Sequence, residues 1–123
     1  MRNMLIQGST LLLSLALTAI GPLKAAESGE QLFLDNCAEC HQAHGRGIDG
    51  IYPALAGNET VLGSGIDVAL VMMIGRGEMP TFKEAFTADQ FSTIINYVRN
   101  SWGNSGAPVT ADQIESLLQQ DGN

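Results

Sequence analysis

The sequence is poor in basic residues. Only six lysines and arginines accompany 13 aspartates and glutamates among its 123 residues, which gives a formal net charge of −7. A chain with so few cations is badly suited to the phosphates of nucleic acids or to anionic membrane surfaces. The acidic balance favours a protein partner with a basic docking surface.

The apolar run Leu11–Ile20 is too short for a bilayer, because a spanning helix needs ~20 apolar residues. It follows Arg2 and precedes a Gly-Pro pair, the pattern of a secretory signal peptide. We predict a signal over residues 1–26, cleaved only approximately there because no clean small-x-small triplet is present. The product would be periplasmic and not inserted in a membrane after cleavage, and an uncleaved anchor is the alternative.

Removal of residues 1–26 would leave 97 residues, enough for one domain but near the size at which a polypeptide core alone is marginal. Four basic residues would then face all 13 acidic ones, a net charge of −9. No repeat, low-complexity tract or strong strand pattern interrupts this part of the chain. We predict a domain over residues 27–104 and an extension over 105–123, which is either a short helix or a mobile tail.

Cysteine and histidine are also scarce, and three of the four stand together in Cys37-Ala38-Glu39-Cys40-His41. A structural zinc site would need His44 as its fourth ligand, which would crowd the tetrahedron into eight residues without the usual distant ligand pair. A thioredoxin-like dithiol is expected in a βαβ context, which the sequence lacks. Two cysteines in an exported protein would otherwise tend to form a disulfide.

Two thiols spaced to add across two vinyl groups, followed at once by an imidazole, are typical of a c-type haem attachment site. On one helical turn Cys37 and Cys40 can both face the porphyrin edge, while His41 lies under the iron as its proximal ligand. The motif therefore predicts one covalently attached haem c, with zinc and dithiol sites as the alternatives. This cofactor indicates electron transfer, not an autonomous enzyme.

Three helices are predicted, over about residues 28–36, 67–75 and 87–103. Ser28 can cap the first, and Thr87 with Gln90 can form a capping box on the third. The second is apolar throughout, which indicates burial on most sides. The third carries an apolar stripe formed by Phe91, Ile94, Ile95 and Val98. The glycine-rich segment 41–66 predicts a loop around a flat cofactor.

The second axial ligand decides whether the iron carries electrons or binds small molecules. His44 is only three residues from His41, at most ~10 Å of chain, too little to reach the opposite face of the porphyrin. Met79 is the best candidate, since it lies outside the predicted helices in a loop that can aim its sulfur at the iron. Met72 and Met73 lie inside the second predicted helix and are better explained as flexible core residues.

The chain resembles the small class I monohaem cytochromes c. The likeness runs through a helix with Gly29 and Phe33, Cys37–His41, Tyr52-Pro53-Ala54-Leu55-Ala56-Gly57-Asn58, Met79-Pro80 and a final helix with Tyr97. It implies an all-α fold, in which three main helices and their loops wrap one covalent haem c. It also implies that the terminal helices cross at Gly29, Phe33, Ile94 and Tyr97, where glycine allows close backbone approach.

The resemblance implies roles for individual residues. Pro53, twelve residues after His41, would accept a hydrogen bond from the histidine Nδ1–H, which orients the ring and strengthens it as a donor. Met79 would be the second axial ligand. The other cofactor contacts would be thioethers from Cys37 and Cys40, a haem-facing Leu55, and Arg46 and Arg76 as candidate propionate partners.

The stretch Tyr97–Asn104 is similar to haem domains in the cytochrome subunits of membrane-bound alcohol and gluconate dehydrogenases. Those subunits carry several such domains, whereas this chain has one haem motif. We predict a one-electron carrier with His41 and Met79 ligation in a periplasmic respiratory or dehydrogenase-linked chain, whose partners are a dehydrogenase, oxidase or reductase. The alternatives are a haem subunit dedicated to an alcohol or sugar-acid dehydrogenase, and a ligand-binding haem sensor.

Overall fold

The computed structural model describes residues 25–121, so the predicted signal segment lies outside the described residues except for its last two positions. The helices of this part of the chain are α1 Gly29–Asn36, α2 Ala38–His41, α3 Glu59–Leu62, α4 Gly65–Ile74, α5 Ala88–Val98 and α6 Ala111–Asp121. Between residues 25 and 121 there is no β-strand, only two isolated bridges. The predicted all-α class is confirmed. None of the helices described is long and apolar enough to cross a bilayer.

The crossing of α1 and α5 forms the centre of the molecule. A Cβ atom added to Gly29 would lie 2.6 Å from both Thr93 O and Tyr97 Cβ, so only glycine lets the two helices come this close. Phe33 is fully buried, with its ring centroid 5.6 Å from that of Tyr97, and Ile94 is 1% exposed. The predicted crossing of the terminal helices is therefore confirmed.

The caps of α1 and α5 form as predicted from the sequence. The Ser28 side chain accepts a hydrogen bond from Gln31 N–H at 3.1 Å. Thr87 and Gln90 form the capping box, with bonds of 3.0 and 3.3 Å. However, α5 ends at Val98, five residues before the predicted end. The backbone turns away there and reaches a left-handed conformation at Trp102, where φ is 54°.

Helix α4 begins two residues earlier than predicted, because the Ser64 hydroxyl accepts from Ile66 N–H and caps it. One face is in the core and includes the buried Met72 and Met73. The prediction of burial on most sides was wrong for the opposite face. Leu70 and Ile74, one turn apart on that face, are 39% and 70% exposed.

Two further helices form where the sequence indicated a loop or an undecided tail. In α3, Asn58 Oδ1 accepts from two first-turn N–H groups at 2.9 and 3.3 Å, so the predicted loop 41–66 contains a helical turn. In α6, Thr110 and Gln113 cap each other's backbone N–H groups. Ile114 is fully buried and belongs to the same hydrophobic core as α1 and α5.

Candidate functional site

The two cysteines lie at the junction of α1 and α2. The Cys37 carbonyl accepts from Cys40 N–H at 3.2 Å and from His41 N–H at 2.9 Å, which begins α2 directly after α1. All three side chains are half-buried, and the thiols are free. Burial, together with the nearby Cys40, raises the pKa of Cys37 to about 11. A reactive dithiol needs a lowered thiol pKa, so this environment disfavours the dithiol alternative.

The zinc alternative finds no support in the part of the chain that is described. Nowhere in residues 25–121 do three or more His, Cys, Asp or Glu side chains cluster so that they could hold an ion. His44, the fourth ligand which that alternative needs, is exposed, and its Nδ1 accepts a hydrogen bond from Arg46 N–H at 3.2 Å.

His41 makes the contact that the resemblance implies. Its Nδ1 lies 3.0 Å from the carbonyl oxygen of Pro53. A carbonyl can only accept, so Nδ1 must carry the proton in this contact, and Nε2 keeps the lone pair that binds a metal. The ring is therefore oriented and held in the tautomer that an axial histidine needs.

The loop between His41 and Pro53 is shaped to make this contact. Ile48 and Tyr52 pair through two backbone hydrogen bonds of 2.9 and 2.8 Å, which fold the loop back on itself. A Cβ atom on Gly47 would lie 2.2 Å from Tyr52 O and 2.6 Å from Pro53 O. Only glycine at residue 47 lets the returning chain pass so close that the Pro53 carbonyl reaches the imidazole.

Tyr52 lies near the cysteine motif. Cys40 raises the pKa of Tyr52 above its usual value, first through the charge of its thiolate. The resemblance to the class I cytochromes c drew attention to Tyr52 only as part of a motif, and its proximity to Cys40 was not predicted.

Met79 lies half-buried in the loop between α4 and α5, packed against the core. Arg76 and Met79 exchange two backbone hydrogen bonds of 3.0 and 3.1 Å. The Thr81 hydroxyl donates to Met73 O, and Phe82 N–H donates to Met72 O at 2.8 Å. The loop that carries the thioether is thus attached to the last turn of α4.

The remaining candidates from the sequence lie in the same two loops. Leu55 is half-buried against the core, and its N–H donates to Gly45 O at 2.7 Å. Arg46 is exposed in the loop that follows His41. Arg76 is exposed beside Met79, where it lines an open groove of about 450 Å³ between α3 and α4. Roles for these three side chains at the cofactor stay predictions.

Sequence reasoning missed Asn104 and Trp102, which hold the histidine loop from the far end of the chain. The Asn104 side chain is buried and bonds to the backbone of Leu55, Gly57 and Val98. Trp102 donates its indole N–H to the carbonyl of residue 43 at 3.2 Å. The contacts of these two side chains with the loop join residues that are 47 to 59 apart along the chain. No local pattern therefore indicates either role.

Arg99 was also missed, although the sequence contains a signal for it. The side chain is 4% exposed and donates to the carbonyls of Val61 at 3.0 Å, Gly63 at 2.7 Å and Ala107. It lies four residues after Ile95, so it continues the apolar stripe of α5. A cation in the register of a buried stripe predicts a structural arginine that binds carbonyl oxygens.

The donor set fits a c-type haem. Two thiols and an imidazole stand on adjacent turns at a half-buried position, the imidazole has its Nε2 available, and a thioether is carried by a separate loop. Between His41 and Pro53 the side chains of Ile48 and Ile51 are 41% and 68% exposed, an apolar surface that a flat apolar group would cover. Nothing in the described donor set conflicts with this cofactor.

Comparison with known proteins identifies cytochromes c as relatives of the chain. The model of the family described as cytochrome C oxidase, cbb3-type, subunit III matches residues 24–98. The chain is 33% identical over 75 residues to cytochrome c6 of Leptolyngbya boryana, an alignment that covers 59% of this chain and 88% of that protein. It is 25% identical over 124 residues to cytochrome c-552 of Thermus thermophilus, with 84% and 83% covered.

Relatives also include much larger proteins. The cytochrome c subunit of the alcohol dehydrogenase (quinone) of Gluconacetobacter polyoxogenes is 30% identical over 107 residues, which cover 76% of this chain and 23% of the subunit. The chain therefore spans about a quarter of the length of these dehydrogenase subunits. The similarity therefore concerns part of each subunit and not the whole of it.

Proposed function

Because the chain belongs to the cytochrome c family, through the domain whose model matches residues 24–98, we propose that it is a one-electron carrier with a single haem c. The observation that carries the proposal is the contact between His41 Nδ1 and Pro53 O at 3.0 Å, which leaves Nε2 for the iron directly beside the two thiols. Covalently bound haem would supply an iron that alternates between ferrous and ferric states.

The cysteine motif at the junction of α1 and α2, with the two loops described above, would hold the cofactor. Cys37 and Cys40 would form the thioether links, and His41 would ligate the iron on the proximal side. The Pro53 carbonyl would keep the imidazole oriented and raise its strength as a donor. Leu55 would contact the haem face, and Arg46 and Arg76 would pair with the propionates.

Met79 would be the second axial ligand. Its thioether is soft, so it favours ferrous iron and raises the reduction potential relative to a second histidine. The loop bonds to the end of α4 support this assignment, because they hold Met79 outside the core at a fixed place. Met72 and Met73 are 5% and 3% exposed in the core, which leaves them less suited to the role.

The setting we propose is the periplasm, after export on the segment 1–26, with a cytochrome domain over 27–104 and an extension over 105–123. The partners would be redox proteins with basic docking surfaces, since 13 acidic residues dominate the chain. The names of the relatives make a dehydrogenase the first partner class to test, either as a transient donor or as a stable complex. Mass spectrometry of the exported protein tests the cleavage site.

The second candidate function is a ligand-binding haem sensor. It is favoured by one observation: the hydrogen bonds described for the Met79 loop join residues at most ten apart along the chain, so a local opening would let the thioether leave the iron. In a sensor an external ligand would occupy that side, whereas in an electron carrier Met79 keeps it closed.

Optical spectroscopy of the haem-loaded protein distinguishes these functions. We expect a low-spin reduced spectrum that carbon monoxide leaves unchanged. Met79→Leu should give a spectrum that responds to carbon monoxide, while Met73→Leu, a matched loss of a core sulfur, should keep the wild-type response. Ready binding of carbon monoxide to the wild-type protein would contradict the carrier function and support the sensor. If Met79→Leu gave the wild-type spectrum, the ligand assignment would be wrong.

A further inference from the structure

We propose that Asn104 is a positioning residue for the axial histidine, which keeps the Pro53 carbonyl on His41 Nδ1 by fixing the chain just after Pro53. The inference rests on the proposed function, because the position of this carbonyl affects the iron only if His41 is its ligand. Asn104 does not touch the imidazole. It acts through residues 55–57 of the loop.

The amide of Asn104 is fixed in place by its own burial and bonding. The side chain is 7% exposed. Its Nδ2 donates to Leu55 O at 3.1 Å and to Val98 O at 3.0 Å, and its Oδ1 accepts from Gly57 N–H at 2.8 Å. A buried amide with three partners has one orientation, so it fixes the loop relative to the end of α5.

The loop is held at both ends by the same short segment. Trp102, two residues before Asn104, donates its indole N–H to Ala43 O at 3.2 Å. The two ends are joined to each other as well, because Gly45 O accepts from Leu55 N–H and from the next N–H at 2.7 and 2.9 Å. Pro53 has no N–H of its own to bond, so its carbonyl is placed by the neighbours on either side.

Loss of the Asn104 amide would leave Gly57 N–H without its partner, and Leu55 O would keep only the longer bond from Asn58 N–H at 3.3 Å. Both losses weaken the native loop conformation, and the segment that carries Pro53 would relax. The hydrogen bond to His41 Nδ1 would then open more often. A weaker bond to Nδ1–H makes the imidazole a poorer donor to iron, which raises the midpoint potential.

The test uses the haem-loaded, reduced protein and follows solvent exchange of the His41 Nδ1–H by NMR. We expect Asn104→Ala to speed this exchange about tenfold, which corresponds to about 1.4 kcal/mol, and to raise the midpoint potential. Asn96→Ala is the matched control. Asn96 makes two comparable side-chain bonds to the backbone of Val109, at 2.9 and 2.8 Å, away from the loop. It should lower the free energy of unfolding and leave the exchange and the potential unchanged.

Asn104→Asp keeps the test decisive if the alanine variant fails to fold. It retains the shape and the acceptor for Gly57 N–H, but loses the two donations. We expect exchange to speed up by a smaller factor, and exchange alone is compared in this variant, because a carboxylate near the haem would itself favour ferric iron. Wild-type exchange in whichever Asn104 variants fold would overturn the inference, as would an equal change in Asn96→Ala.

These outcomes separate the inference from the proposed function. A wild-type protein without covalent haem, or one whose His41 Nδ1–H resonance does not change when haem is bound, would overturn the carrier function and this inference together. A wild-type protein with both features and an Asn104 variant identical to it would overturn the inference alone.

Discussion

The two loops that carry the proposed axial ligands are held in different ways. The histidine loop, residues 41–57, is bonded to Trp102 and Asn104 across 47 to 59 residues of chain. The methionine loop, residues 75–82, is bonded to itself and to α4, and among the hydrogen bonds described in residues 25–121 its longest joins Phe82 to Met72. One loop is attached by tertiary structure and the other by local turns.

The difference predicts where the molecule opens first. Contacts over a few residues break in a local opening that leaves the rest of the fold intact, whereas contacts to a distant segment break only when that segment moves too. The Met79 side should therefore open at a lower free energy than the His41 side. Under the proposed function, Met79 would therefore leave the iron more readily than His41.

The largest expected effect comes from removing the covalent links on which the histidine side depends. The double change of Cys37→Ala and Cys40→Ala should abolish haem retention after acidic organic extraction, since no other cysteine is present. Haem staining on a denaturing gel measures it, with Met73→Leu as a control that keeps the band. A stained band in the double variant would mean that haem is not attached here.

Gly29→Ala should destabilise the whole fold, and with it both the histidine loop and the methionine loop. The new methyl group would lie 2.6 Å from Thr93 O and Tyr97 Cβ, and overpacking of this kind costs about 2–3 kcal/mol. Gly50→Ala is the control, because a Cβ there meets nothing within 4 Å and only the left-handed backbone resists it, at about 1–2 kcal/mol. Denaturant unfolding followed by both far-ultraviolet and haem signals should show one shared transition. Separate transitions would contradict a single core.

Thr81→Val should weaken the attachment of the methionine loop and leave the histidine loop unchanged. The variant keeps the shape and loses the hydroxyl that donates to Met73 O, a bond worth about 1 kcal/mol. We expect the reduced haem protein to bind carbon monoxide about fivefold more readily, with unchanged exchange of the His41 Nδ1–H. Thr81→Ser should restore the wild-type behaviour. An equal effect on both sides would show that the two loops are coupled.

The smallest effects should come from Arg46→Gln and Arg76→Gln, one in each loop. Both side chains are exposed, so each pairing with a propionate is worth only about 0.2–1 kcal/mol. Removal of a cation near the haem favours ferric iron, and we expect a small downward shift of the midpoint potential. Glu115→Gln on the distant α6 should leave the potential unchanged. No shift in either arginine variant would exclude the propionate role for both.

Local features of the fold could be read from the sequence, and distant ones could not. The caps at Ser28 and Thr87 and the stripe of α5 depend on residues within one or two helical turns. The end of α5 was placed wrongly, because the chain leaves the helix to let Trp102 and Asn104 reach the histidine loop. Tertiary bonds decided this boundary, and they leave no mark in a local pattern.

The candidate site follows the same division. The Cys37–His41 motif is a short local pattern, and the resemblance to the class I cytochromes c implied the contact with Pro53, so these residues could be named before their geometry was known. Arg99 could have been found from the register of its helix. Asn104 could not, because an asparagine after a helix is ordinarily a turn residue and its three partners come from two other segments.

The attachment of the histidine loop to the end of α5 also sets an order in time. Asn104 follows His41 by more than sixty residues, so it is synthesised well after the cysteine motif. Domains fold as their last required segment becomes available. During that interval the segment 41–57 lacks its long-range bonds, and under the proposed function Cys37 and Cys40 would be open to haem attachment. Synthesis of Trp102 and Asn104 would then allow the loop to close around the motif.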